Sequence, residues 1–143
     1  MKYRIISVGK LSERFYLEGI NEYLKRLGPY TTIELIDNLE EKTNPRASDT
    51  EIEKVLHKEG QKILRLVGND ETVVVLDIGG RQLSSEELAQ QIADWNMSGK
   101  SRVNLIVGGS HGLAREVKQR ADLKLSFSRL TFPHQMAVLM LAE

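Results

Sequence analysis

The sequence predicts an α/β fold with a mostly parallel sheet flanked by helices, and three observations carry that prediction. Strand-like and helix-like segments alternate from one end of the chain to the other, as they do in α/β domains. The interior segment Thr72-Val73-Val74-Val75-Leu76-Asp77 is apolar without alternation, the pattern of a strand covered on both faces. Two capping boxes, Ser48 with Glu51 and Ser84 with Glu87, mark the starts of helices between strands.

Taken in order, residues 2–8 read as a first strand, and Ser12 opens a helical stretch in which Phe15, Ile20, Tyr23, Leu24 and Leu27 recur at roughly helical spacing. Gly28-Pro29 stops it. Residues 31–37 form a β-branched second strand, followed by a polar loop over 38–47 that contains Asn44-Pro45. The Ser48 box starts a helix over 49–66 whose apolar stripe is Ile52, Val55, Leu56, Ile63 and Leu64; Gly60 weakens it without breaking it. After the strand at 72–77, the Ser84 box starts a helix with Leu88, Ile92 and Trp95 on its inner face. Residues 102–107 are another buried strand, 113–120 a short helix and 123–127 a last short strand. Pro133 then suits the first turn of an apolar helix over 135–141.

With 143 residues, 41% hydrophobic and 28% charged, the chain is expected to form a single domain over 1–143 with a core of its own. The sequence has no cysteine, which excludes disulfides, thiolate metal sites and a cysteine nucleophile. No run approaches the ~20 apolar residues of a membrane-spanning helix, and the first residues do not resemble a signal peptide. A cytoplasmic protein with no membrane partner is the expectation. Lys and Arg number 20 against 20 Asp and Glu, so net charge gives no argument for nucleic acid. Residues 1–80 hold 12 basic and 14 acidic side chains and 81–143 hold 8 and 6, an asymmetry too small to identify a partner.

In open α/β sheets ligands bind beyond the carboxyl ends of the strands, which directs attention to the loops after Leu76, Val107 and Phe127. Asp77-Ile78-Gly79-Gly80-Arg81 reads either as a tight turn with glycines at positive φ or as backbone brought close to a ligand. Gly108-Gly109-Ser110-His111-Gly112 lies between strand and helix, where free N–H groups favour a polar or anionic ligand. It is neither the dinucleotide fingerprint nor a P-loop, so a generic nucleotide-binding domain stays a rival reading. His57, His111 and His134 lack metal-ligand spacing, and no metal is expected. Ser110 beside His111 does not place hydroxyl against imidazole, which leaves a hydrolase unsupported. Arg115, Lys118, Arg120, Lys124 and Arg129 make a locally positive stretch suited either to phosphates or to a solvated surface.

Several motifs in sequence order carry a resemblance. Ile-Ile-Ser-Val-Gly-Lys near the N-terminus, Glu22-Tyr23-Leu24-Lys25-Arg26-Leu27-Gly28-Pro29-Tyr30, Leu83-Ser84-Ser85-Glu86, Val107-Gly108-Gly109-Ser110-His111-Gly112-Leu113 and Leu125-Ser126-Phe127-Ser128-Arg129-Leu130-Thr131-Phe132-Pro133-His134-Gln135 together resemble the ribosomal RNA large subunit methyltransferase H family from residue 1 to about 136. The resemblance implies a SPOUT-type fold with a C-terminal trefoil knot. It implies S-adenosyl-L-methionine as cofactor, a homodimer, and methylation of N3 of a pseudouridine in helix 69 of 23S rRNA on the assembled ribosome. By position it implies a cofactor site lined by Leu76, Gly108, Phe127, Ser128, Arg129, Leu130, Thr131 and Phe132. A base or electrostatic helper is needed near the reacting methyl, and His134 is the titratable candidate. Members of the family carry an arginine in the last helix and a terminal Tyr-His pair; here Val138 aligns with that arginine and the sequence ends at Ala142-Glu143. That departure sets a second reading beside the first, a shortened homologue that binds cofactor or ribosome without catalysis.

Overall fold

A computed structural model describes residues 2–143, and Met1 lies outside the described residues. The elements run β1 (Lys2–Ser7), α1 (Arg14–Leu27), β2 (Thr32–Ile36), α2 (Asp49–Leu66), β3 (Thr72–Gln82), α3 (Ser85–Met97), β4 (Arg102–Val107), α4 (Arg115–Arg120), β5 (Leu123–Ser126) and α5 (His134–Ala142). The five strands form one sheet in the order β2-β1-β4-β3-β5, with every neighbouring pair parallel. The predicted fold class is the one observed.

Side chains alternate across a strand, so consecutive residues feed opposite faces of the sheet. Ile6, Val75 and Ile106 point to the layer of α2 and α4, where they pack with Ile63, Leu113 and Val117. Ile5 and Val107 point the other way, onto Ile20 of α1 and Ala137 and Val138 of α5. Trp95 of α3 closes the same side further along, over Val74, Val103 and Leu125. The sheet is therefore sandwiched between helical layers, as unalternating strands require. Among the described residues no helix is long and apolar enough to cross a membrane.

Four local expectations are corrected. Ser12 does not cap α1, which begins at Arg14; the side-chain oxygen of Gln135, from the far end of the chain, accepts the N–H groups of Ser12 (3.1 Å) and Glu13 (2.9 Å) instead. Ser84 and Glu87 form the complete reciprocal box, whereas at Ser48 only the half in which its hydroxyl accepts the Glu51 N–H is made. Gly60 leaves α2 unbroken, as expected. A Cβ there would stand 2.8 Å from the Cβ of Ala114, so the glycine is what lets α2 approach the start of α4. Ile92 is 38% exposed, leaving Trp95 as the buried anchor of α3.

The fourth of these corrections positions the site. β3 does not end at Asp77 but continues to Gln82, and Leu125 of β5 pairs with both Leu76 and Arg81, so the residues between them bulge from the ladder. Gly79 and Gly80 are not at positive φ. Gly80 is needed for closeness, because a Cβ would come within 2.6 Å of the Lys124 carbonyl oxygen. Bulges of this kind re-aim side chains at sheet edges and beside sites.

Candidate functional site

Because β4, β3 and β5 are neighbours and all run the same way, the segments that follow them emerge side by side at one edge of the sheet. They enclose a cavity of about 480 Å³ together with the N-terminal turn of α5, within the size range of small-molecule sites. Leu76 and the bulged Asp77 and Ile78 come from β3, Gly108 to Ser110 from the turn after β4, and Phe127, Ser128 and Leu130 to Phe132 from the segment after β5. Of the eight positions expected to line a cofactor site, Leu76, Gly108, Phe127, Ser128, Leu130, Thr131 and Phe132 border this cavity. Arg129 does not; it is exposed.

Each wall is held by specific bonds. After β5, the Ser126 hydroxyl donates to the Ser128 carbonyl (2.9 Å) and the Leu130 N–H donates to the Ser128 hydroxyl (3.0 Å), which shapes the segment while leaving Leu130 71% exposed at the rim. After β4, Gly112 sits at φ +82 and its N–H donates to the Gly109 carbonyl at 3.1 Å. A Cβ on Gly108 would stand 2.8 Å from the Gly112 carbonyl carbon. Bare backbone thus forms part of the lining.

The ionisable groups on the cavity are Asp77, Lys118 and His134. Lys118 Nζ lies 3.9 Å from Asp77 Oδ2, and Asp77 Oδ1 accepts the Gly79 N–H at 3.2 Å. The Nε2 of His134 is 3.0 Å from the Lys10 carbonyl oxygen. A carbonyl only accepts, so in this bond Nε2 is the donor and Nδ1 is the nitrogen left free of it. The ring also lies so close over Gly9 that a Cβ there would meet it at 2.6 Å. His134 therefore both borders the cavity and pins the segment after β1. Sequence reasoning singled out His134 but not Asp77 or Lys118 as a pair, because their partnership joins β3 to α4 across the chain. Ser110 bonds to Glu40 and His111 to Thr43, not to each other, so no Ser-His pair forms. Among the described residues no group of three or more His, Cys, Asp or Glu could hold a metal ion.

Behind the glycine turn, Glu59 is buried and accepts the Glu41 N–H at 2.8 Å. Burial pushes its carboxyl above the ordinary range, the bond from Glu41 opposes this, and the carboxylate of Glu40 adds to the rise. A carboxyl raised in the folded state favours the native form when protonated, and that contribution is lost as pH rises through the folded value. Glu59→Gln keeps an accepting oxygen and removes the charge. It is expected to raise the melting temperature at neutral pH, with the gain vanishing at acid pH. Melts of both proteins at pH 7 and pH 4 check this, and a gap that persists unchanged at pH 4 would contradict it.

Comparison with known proteins adds the remaining finding. A family described as "Predicted SPOUT methyltransferase" matches residues 1–143. The ribosomal RNA large subunit methyltransferase H of Syntrophomonas wolfei subsp. wolfei is 64% identical over 143 residues, spanning 100% of this chain and 90% of that protein. Proteins of the same name from Carboxydothermus hydrogenoformans and Enterococcus faecalis are 48% and 47% identical over the same spans.

Proposed function

The chain belongs to the SPOUT methyltransferase family, among relatives named ribosomal RNA large subunit methyltransferase H, and from that premise we propose that it is an enzyme that methylates 23S rRNA with S-adenosyl-L-methionine. The target in this reading is N3 of a pseudouridine in helix 69, on the assembled ribosome in the cytoplasm. One observation carries it: in a chain of this family, three strand-end segments converge on a single cavity of about 480 Å³. Identity of 64% spread along all 143 residues favours the active enzyme over a silent relative.

The lining fits the cofactor. Leu76, Leu130 and Phe132 offer apolar walls for an adenosyl group, and backbone at Gly108 leaves the space a Cβ would fill. When bound, S-adenosyl-L-methionine supplies a methyl group that its sulfonium already makes electrophilic. The protein's part is then to fix the geometry of approach, to keep water out, and to assist loss of the proton from the target nitrogen. Nδ1 of His134 and the carboxylate of Asp77 are the groups on the cavity able to take a proton, and Lys118 can stabilise negative charge.

The proposal extends to assembly and topology. α5 is apolar around its circumference, and Met140 on it remains 37% exposed, which favours a homodimer that covers this helix. The C-terminal segment would thread the trefoil knot of the family.

Calorimetry with S-adenosyl-L-methionine and with nucleoside phosphates, followed by labelled methyl transfer to ribosomes lacking the modification, tests the reading. Binding of the sulfonium compound and label in 23S rRNA are the expected results. Equal or tighter binding of nucleoside phosphates, with no label transferred, would overturn it.

A further inference from the structure

We propose that Glu40 is a positioning residue for methyl transfer: its carboxylate holds the turn after β4 in the shape that receives the cofactor. The inference rests on the reading of the cavity given above.

Glu40 lies in the segment after β2, remote in sequence from the turn, yet its side chain reaches it at two points. Its Oε1 accepts the Ser110 hydroxyl at 2.6 Å. Its Oε2 occupies the space beside Gly109, where a Cβ would approach it to 2.6 Å. Both Gly109 and Ser110 border the cavity.

The residues on either side of Glu40 are fixed. The Leu39 N–H donates to the Val8 carbonyl at 2.8 Å. Lys62 donates to the Leu39 carbonyl at 3.3 Å and pairs with Glu41 at 2.8 Å. The Glu41 N–H is held by buried Glu59. Glu40 is thus presented from a rigid base formed by the end of β1 and the body of α2.

The turn itself has little internal order to rely on. It contains three glycines, residues that leave the backbone its widest freedom, and its one internal bond of note is Gly112 N–H to Gly109 carbonyl. A second tether, His111 Nε2 to Thr43 Oγ1 at 3.2 Å, reaches the same segment after β2. A hydrogen bond to a charged carboxylate is the stronger kind. Its loss is expected to loosen the turn locally, because Ser110 and His111 are exposed and contribute little to the core.

The test uses the full chain and three variants, Glu40→Ala, Glu40→Gln and Ser110→Ala. For Glu40→Ala, KM for S-adenosyl-L-methionine is expected to rise roughly ten-fold, with kcat at saturating cofactor changed by less than about two-fold. Glu40→Gln should recover most of the loss, since an amide oxygen still accepts from Ser110. Ser110→Ala should reproduce the defect, and the double variant should be no worse than either single one, as expected for two halves of one interaction. Hydrogen exchange of the Gly112 amide in the cofactor-free protein should quicken in Glu40→Ala. Unchanged exchange and unchanged KM, or fully additive effects of the two substitutions, would overturn the role of Glu40. If the parent protein does not bind S-adenosyl-L-methionine while Glu40→Ala still quickens exchange at Gly112, the error lies in the proposed function and not in the tether.

Discussion

Gly108→Ala is expected to reduce affinity for S-adenosyl-L-methionine by at least ~100-fold, equivalent to about 2.7 kcal/mol, in a protein that still folds. The added methyl would lie 2.8 Å from the carbonyl carbon of Gly112 and 2.9 Å from its oxygen, with Leu113 Cγ at 3.1 Å. Two of those three atoms are backbone, so relief requires moving the turn, and the turn is a wall of the cavity. Overpacking of this kind costs ~1–3 kcal/mol of stability, within what a domain of this size withstands. Gly112→Ala is the matched control. Nothing stands within 4 Å of a Cβ there, but φ is +82, so its penalty is backbone strain of ~1–2 kcal/mol with no clash against the turn's own backbone. Calorimetry and thermal melts on both variants separate the effects. Parent-like affinity in Gly108→Ala would remove the turn after β4 from the proposed cofactor site.

The same glycines show which parts of the molecule are readable from sequence. Gly108 and Gly112 lie between a strand and a helix, and their local pattern already marks a turn beyond a strand end. Gly79-Gly80 carries an equally strong local turn signal, yet it is part of an extended, bulged strand. What decides there is the Lys124 carbonyl, brought alongside only by the pairing of β3 with β5. Local chemistry located the helix starts at Ser48 and Ser84, where cap and helix are adjacent. It failed at α1, which begins at Arg14 with no side-chain cap, while the N–H groups of Ser12 and Glu13 before it are held by Gln135 from more than a hundred residues away.

The site follows the same division. That the segments after Leu76, Val107 and Phe127 deserve attention is legible, because ligands favour strand ends in this fold class. That the three are neighbours depends on the strand order, which periodicity does not contain. Arg129 was included with its neighbours by position, but consecutive residues in an irregular segment need not face one way, and its side chain lies outside the cavity. The pairings of Asp77 with Lys118 and Glu40 with Ser110 join distant segments and have no local trace.

The strand order also identifies the position where truncation should weaken the fold most. Ile106 lies on the central strand, paired with Ile6 of β1 on one side and Val75 of β3 on the other. These three residues form a row across the sheet, each no more than 1% exposed, beneath Ile63 of α2 and Val117 of α4. Ile106→Ala removes atoms that neighbours on both strands and both helices enclose, and the sheet's hydrogen bonds prevent the strands from closing the void. A loss of ~3–5 kcal/mol follows, from the upper part of the range for aliphatic truncations. That is a large share of the ~5–15 kcal/mol a domain typically has. Ile106→Val, which removes one methylene, should cost only ~0.5–1.5 kcal/mol. Urea titrations should show lower midpoints in that order with an unchanged slope, because the folded surface is the same in all three proteins. An alanine variant within ~0.5 kcal/mol of the parent would mean that the helical layer can collapse onto the sheet, and that the row from Ile6 to Val75 is not the rigid floor on which the neighbouring strand ends are placed.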